Sequence, residues 1–409
     1  MRILITIVGI AVLFLLAWLL SSDRRAINGR TVAVAFALQL AVAVLVMYLP
    51  WGRDVLDAAV RGVRHVIEYA NAGIEFVFGE RTTDSLGFTI AFQVLPIIVF
   101  FSALMSVFYY LGVMQKVVAW LGGGLRRLLG TTQIESMSAV SNIFVGHTEA
   151  PLVVKPYLAR TSESELFAIM VGGCATIAGT VMAAYAQMGV SLEYLIAASF
   201  MAAPGGLLMA KILVPEARNL QQVHFDPDAG DEERAVNIFE AIGNGAATGL
   251  TLALNVGAML LAFVAMIALL NGLLGWVGGW SWIGIEDLTL QLILGKLFAP
   301  IAFLIGVPWD EAVQAGTLIG EKFVVNEFYA YAHFVQIKEA LSPRTQAIVT
   351  FALCGFANLA SIAILLGGLG SIVPARRRDI ARLGLKAVIG GTLVNLMNAS
   401  LAGIFVSLQ

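Results

Sequence analysis

Charge is what this chain has least of. Only 13% of its 409 residues are Asp, Glu, Lys or Arg, about half the share in ordinary soluble domains, which excludes a water-exposed globular fold. Two cysteines, Cys174 and Cys354, and four histidines are too few for a disulfide framework or a metal cluster. Both cysteines lie in apolar segments and read as small packing residues. A net charge of -2 and a pI near 6.1 leave no basic surface, so no nucleic-acid partner is expected. Proline is also sparse, at 11 residues, and Pro151, Pro156, Pro300 and Pro308 fall in two interrupted segments. What is abundant is hydrocarbon. With 59% hydrophobic residues and a mean hydropathy of +0.86, the solvent this chain expects is a lipid bilayer, and the fold class is an all-α polytopic membrane protein.

Eight apolar runs are long enough to span: Ile3–Leu20, Thr31–Leu49, Leu86–Met114, Leu166–Val190, Tyr194–Ala210, Leu250–Leu274, Thr345–Val373 and Ala387–Leu408. At 1.5 Å per residue the first covers about 27 Å, just enough for the hydrocarbon core. Its n-region holds only Arg2 and no small-residue cleavage site precedes Arg24 and Arg25, so a retained span is expected rather than a signal peptide. Residues 51–85 differ: Arg53, Asp54, Asp57, Arg61, Arg64, Glu68 and Glu75 alternate with Val, Leu, Ile and Phe at helical spacing. That pattern suits a helix lying on the membrane surface or against a partner subunit, with a plain soluble loop as the alternative.

Two further segments are apolar but too broken to cross. Ser136–Tyr157 carries Gly146, Glu149, Pro151, Lys155 and Pro156; Leu292–Tyr331 carries Pro300, Pro308, Glu321, Lys322, Asn326 and Glu327. Both are expected to be re-entrant helical hairpins, tolerated only where protein or a watery cavity covers the backbone.

Loop charge sets the orientation. The loops after spans one (Arg24, Arg25, Arg30), three (Lys116, Arg126, Arg127), five (Lys211, Arg218, Arg234) and seven (Arg376, Arg377, Arg378, Arg382) are basic. Those after spans four and six contain no Lys or Arg. Both termini are therefore expected outside the cytoplasm.

The two halves also resemble each other. Trp120-Leu-Gly-Gly-Gly124 pairs with Trp276-Val-Gly-Gly-Trp280, Glu149 with Glu327, and Ala175-Thr-Ile-Ala-Gly179 with Ala357-Asn-Leu-Ala-Ser361. The expected organisation is a two-span region with an interfacial segment (1–85), a first repeat (86–210), a cytoplasmic loop (211–240) and a second, inverted repeat (241–409). Inverted repeats with broken segments point to a secondary transporter whose site lies at the midplane between the halves.

Within the first hairpin, Asn142-Ile-Phe-Val-Gly146-His-Thr-Glu149-Ala-Pro151 sets a carboxylate, a histidine and a threonine in hydrocarbon. Intramembrane carboxylates are costly and functional by default, which singles out Glu149 and Glu327. Phe144-Val-Gly-His-Thr-Glu-Ala-Pro-Leu152, Val325-Asn-Glu-Phe328 and Cys354-Gly-Phe-Ala-Asn-Leu-Ala-Ser361 resemble the signature segments of the concentrative nucleoside transporters, particularly the bacterial members. The resemblance extends over nearly the whole chain. It implies sodium-driven nucleoside import at the bacterial inner membrane, a homotrimer, and a transport domain moving against a scaffold of spans three and six. It puts the nucleobase on Thr148 and Glu149 with Val181 and Phe356 as apolar walls, and the ribose on Glu327, Asn358 and Ser361. Sodium is implied near Asn142, Val145, Thr176 and Ile177, with no other cofactor. The chemistry agrees: a carboxylate accepts strongly from vicinal hydroxyls, and a hard cation prefers oxygen.

One residue departs from the family pattern. His147 stands where glutamine is common, also against the base, and an imidazole gains charge near pH 6.5. Uptake is therefore expected to fall as His147 protonates, unless the ring is turned away to cap hairpin backbone. Proton coupling through Glu149 or His147 is the alternative mechanism. Other classes are an intramembrane enzyme using Glu149 and His147 as acid and base, for which no nucleophile elbow, metal-ligand repeat or phosphate loop is present, and a channel.

Overall fold

A computed structural model of the chain describes residues 2–79, 89–216, 235–279 and 288–408. All regular structure among these residues is helical. The N-terminal elements are α1 (Arg2–Leu19), α2 (Gly29–Met47), α3 (Pro50–Phe78), α4 (Leu95–Tyr110, entered through a π turn at Ile90–Val94) and α5 (Val113–Leu129). There follow α6 (Gln133–Ser141), a 3-10 segment at Ala150–Arg160, α7 (Glu163–Ala175), α8 (Gly179–Gln187) and α9 (Leu192–Leu213). The C-terminal elements are α10 (Ile238–Gly278), α11 (Leu290–Leu304), α12 (Trp309–Val324), α13 (Glu327–Ile337) and α14 (Pro343–Leu353). The chain ends with α15 (Ala360–Gly367), the single turn α16 (Leu369–Ile372) and α17 (Arg377–Val406).

Six helices among the described residues are long and apolar enough to cross a bilayer, and α1 and the α15–α16 stretch are shorter apolar helices. They sort into two layers. Of the apolar window in Glu163–Gln187 and in Leu192–Leu213, 94% is buried inside the protein, against 22% for Gly29–Met47 and Ile90–Tyr110 and 17% for Ile238–Gly278. The inner helices are apolar on every face because other helices surround them; the outer ones leave their apolar surface for lipid or a neighbouring subunit. Outer helices α4 and α10 approach closely through glycine. A Cβ on Gly245 or Gly249 would lie 2.7 Å from the backbone of Ala103 or Val99.

Residues 51–78 form one amphipathic helix, which removes the loop alternative. Gly52, Val60, Ile67, Ala70 and Ile74 make its buried face, and residues 80–85 lie outside the described set. Span three is described from 89 onward and ends at Tyr110. A second amphipathic helix, α5, follows it, burying Met114, Val118, Gly122, Leu125 and Leu129 before Gly130 stops it at φ 68°. In sequence this stretch, with Lys116, Arg126 and Arg127, reads as the basic loop after span three.

The second interrupted segment also resolves differently. Helices α11 and α12 meet at 116°, because Pro308 caps α12 and Gly306 reverses the chain at φ 109°. Helices α12 and α13 are tied in turn where His333 Nδ1 meets Glu321 Oε2 at 2.8 Å. The segment thus holds three helices rather than two, with Pro300 inside α11 and α11 packed so closely along α12 that a Cβ on Gly316 would lie 2.7 Å from the backbone of Ala299. Trp120–Gly124 lies within α5, whereas Trp276–Gly278 closes α10, so this pair of look-alikes does not occupy matching elements. Trp280 lies outside the described residues, as do Arg218 and Arg234.

Candidate functional site

The first polar constellation is built on a capped helix. Thr132 accepts from Glu135 N while the Glu135 carboxylate takes Thr132 N, a capping box that starts α6. The helix stops after Ser141, and residues 142–149 turn back into the 3-10 segment, which packs on α6. Asn142 is fully buried, with Nδ2 donating to Ser138 O at 2.9 Å and Oδ1 left without a partner among the described residues. The tip lies flat on α7: a Cβ on Gly173 would sit 2.6 Å from His147 Cβ and 3.7 Å from Asn142 Oδ1.

There α7 breaks. Thr176 leaves the helix with extended backbone, its Oγ1 donating to Gly172 O at 3.0 Å, and α8 begins at Gly179, whose N donates to Phe144 O at 3.0 Å. Asn142, Val145, Thr176 and Ile177 are thus gathered where the tip meets an unwound helix. The break exposes backbone carbonyls, and with Asn142 Oδ1 unpartnered the donor set is oxygen-rich, as a hard cation needs.

The second constellation surrounds Glu327. Asn326 caps α13 by accepting from Tyr329 N at 2.8 Å, which puts the Glu327 carboxylate at the positive end of a helix. Tyr185 OH donates to Glu327 Oε1 at 3.1 Å and Asn358 Nδ2 to Oε2 at 3.0 Å. Asn358 Oδ1 accepts from Ser361 N at 2.9 Å and Ser361 Oγ at 3.0 Å; Ser361 Oγ also contacts Phe356 O. Tyr185 was not singled out from sequence. The available signal was a tyrosine hydroxyl in an apolar span, one helical turn from Val181 and on its face.

The halves meet at Phe356. Its N donates to Thr176 O at 3.1 Å, and its ring packs edge-on against His147 at 4.9 Å between centroids. Both His147 ring nitrogens are buried without a hydrogen-bond partner among the described residues, so the imidazole neither caps the hairpin backbone nor bonds Glu149. Thr148 abuts Gly368, and Val181 is buried. Glu149 faces elsewhere: with Val145 and Thr180 it lines a cavity of about 520 Å³ walled by Tyr109, Gln115 and Asn244 from α4, α5 and α10. Glu327, Asn358 and Ser361 are not in that lining. The structure therefore joins Glu327, Asn358, Ser361, Phe356 and His147 directly, and leaves Glu149 on the cavity side.

The family model described as "Na+ dependent nucleoside transporter C-terminus" matches residues 194–403, more than half of the chain. The chain belongs to this family of nucleoside transporters. Models described as its N-terminus and as "Nucleoside recognition" match residues 8–81 and 91–192. The nucleoside permease NupC of Helicobacter pylori is 52% identical over 99% of this chain and 98% of its own length. Sodium/nucleoside cotransporter 1 of Rattus norvegicus is 39% identical over 98% of this chain and 63% of its own. Among solved structures, CNTnw in an inward-facing substrate-bound state superposes with a TM-score of 0.94 at 55% identity, covering 100% of this chain and 99% of that one. A doubly substituted CNTnw in an outward-facing state gives 0.95 at 54% identity, covering 100% of both chains. The chain is a multi-pass membrane transporter, and the enzyme reading of Glu149 and His147 falls with that assignment.

Proposed function

We propose that this protein imports nucleosides into a bacterial cell across the inner membrane by sodium symport, through alternating access of an elevator type. The observation that carries the proposal is the pairing of a carboxylate held at a hairpin tip with an oxygen-rich helix break. Glu327 is fixed by Tyr185 and Asn358, and a few residues of packing away Asn142 Oδ1 waits beside the end of α7. A carboxylate offers about four lone-pair sites, so two protein donors leave capacity for the vicinal hydroxyls of a ribose. In this reading Asn358 and Ser361 complete the sugar site, Val181 and Phe356 hold the flat base, His147 and Thr148 meet its polar edge, and Glu149 reaches that edge from the cavity side. Sodium binds at Asn142, Val145, Thr176 and Ile177 and orders the tip that carries those base contacts.

The hairpins and broken helices form the moving core, and α4 and α10 belong to the scaffold. Two docking contacts support an inverted repeat: Phe144 O accepts from Gly179 N, and Phe323 O from Leu359 N, both at 3.0 Å. A homotrimer suits the outer apolar faces of α3 and α10. Coupling one sodium to a membrane potential supplies about 2.3 kcal/mol per 100 mV, about 50-fold accumulation.

The deciding experiment is uptake of radiolabelled uridine and adenosine into proteoliposomes. We expect accumulation driven by an inward sodium gradient and lost when choline replaces sodium. Uptake that follows a proton gradient in choline instead would transfer the coupling to Glu149 or His147.

A further inference from the structure

Two broken helices end against each other in the core, bridged by an asparagine whose amide oxygen is held by a buried lysine. Helix α7 stops at Ala175 and α14 at Leu353, so each presents carbonyls without intrahelical donors and the negative end of its dipole. The ends are in contact: a Cβ on Gly355 would lie 2.8 Å from Ala175 O and 2.5 Å from Asn395 Oδ1. Asn395, on α17, donates through Nδ2 to Ala175 O at 2.7 Å and to Cys354 O at 2.8 Å. Carbonyl oxygens only accept, so the orientation of this amide is determined and its Oδ1 must face a donor. That donor is Lys322 Nζ, at 2.6 Å, which also donates to Ala352 O at 2.8 Å. Lys322 is 2% exposed and Asn395 fully buried.

An ammonium in this position is costly unless its surroundings are electronegative. Here they are: a carbonyl, an amide oxygen, two helix C-termini, and Glu327 five residues along the same hairpin. The first half of the site differs in one respect. At the tip of its hairpin, Asn142 presents an unpartnered Oδ1 to the last turn of α7, an acceptor with no tethered cation beside it.

We propose that Lys322 is the built-in cation of the second half of the site, doing for the crossed helix ends at Cys354 what a dissolved cation does at Asn142. By holding those ends in register it positions Phe356, Asn358 and, through them, Glu327. One half takes its cation from solution and releases it in each cycle; the other carries its cation on the chain. The inference rests on the sodium-symport reading and deepens it, because it leaves one exchangeable cation per transport cycle.

The test is Lys322→Gln, which keeps a donor and removes the charge, assayed in proteoliposomes with whichever of uridine and adenosine the wild type accumulates. At the sodium concentration that saturates the wild type, the nucleoside KM is expected to rise about tenfold or more, as loss of a charge-assisted contact predicts. Raising sodium is expected to restore it, with the Hill coefficient for sodium moving from about one toward two as a second dissolved ion fills the vacated position. A monodisperse variant with the wild-type sodium curve overturns the proposal, and so does a loss that no sodium concentration corrects, which would mark a packing role. Should the variant fail to fold, the ratio of radiolabelled sodium to nucleoside entering with the wild type decides: one ion per nucleoside agrees, two do not. Sodium-independent uptake by the wild type would instead sink the symport reading itself.

Discussion

Glu327 shows how a single side chain is made usable in a membrane. It is 6% exposed, and the cost of burying a carboxylate is offset by a helix N-terminus and two hydrogen bonds. Glu327→Gln keeps the shape and one acceptor but loses the charge, and is expected to abolish uptake while the protein still elutes as a monodisperse peak. Wild-type transport by that variant would remove Glu327 from the sugar site. Tyr185→Phe takes away one donor to a charged group, about 1.5 kcal/mol, and a KM increase of about tenfold is expected with little change in maximal rate. Sequence alone exposed Glu327, because a carboxylate between Asn326 and Phe328 has no bland role in hydrocarbon. Tyr185 stayed hidden, since its hydroxyl matters only through a partner 142 residues away.

At the scale of elements, interruptions matter more than spans. Helices α7–α8 and α14–α15 are continuous apolar runs in sequence, yet each breaks where a hairpin tip arrives, at Thr176 and between Cys354 and Leu359. The tips supply Phe144 O and Phe323 O as acceptors for the reopened strands of backbone, so each break is stable only with its hairpin docked. Uninterrupted contacts serve the scaffold. Because Gly249 lets α10 touch the backbone of α4, Gly249→Val forces the two helices apart, at a cost of about 1–3 kcal/mol by overpacking. A lower thermal midpoint in detergent is the expected result; an unchanged midpoint would show that the α4–α10 contact yields without strain.

For the molecule as a whole, the cavity beside Glu149 is bounded by core on one side and outer helices on the other. Leu152 lines it from the first hairpin and Ser106 from α4. If the core moves as a body, bridging Leu152→Cys to Ser106→Cys with a cleavable bifunctional maleimide should remove most uptake, and cleavage of the linker should restore it. Full activity with the bridge in place would rule out motion of the hairpin past α4. Cys174 and Cys354 are buried and need not be replaced.

Legible in the sequence alone are the solvent, the helical class, the two interrupted regions and the polar residues that stand out in apolar runs: Asn142, Glu149, Glu327, Asn358. Those are decided by local chemistry, since a charged or amide group in an apolar run is conspicuous wherever the chain goes. Tertiary structure decided what those groups face. It placed Glu149 on a cavity and Glu327 against Tyr185, turned α11 back along α12, and brought Lys322 and Asn395, 73 residues apart, to the ends of two broken helices. No periodicity encodes such a meeting, because it is set by how four distant segments pack rather than by the spacing within any of them.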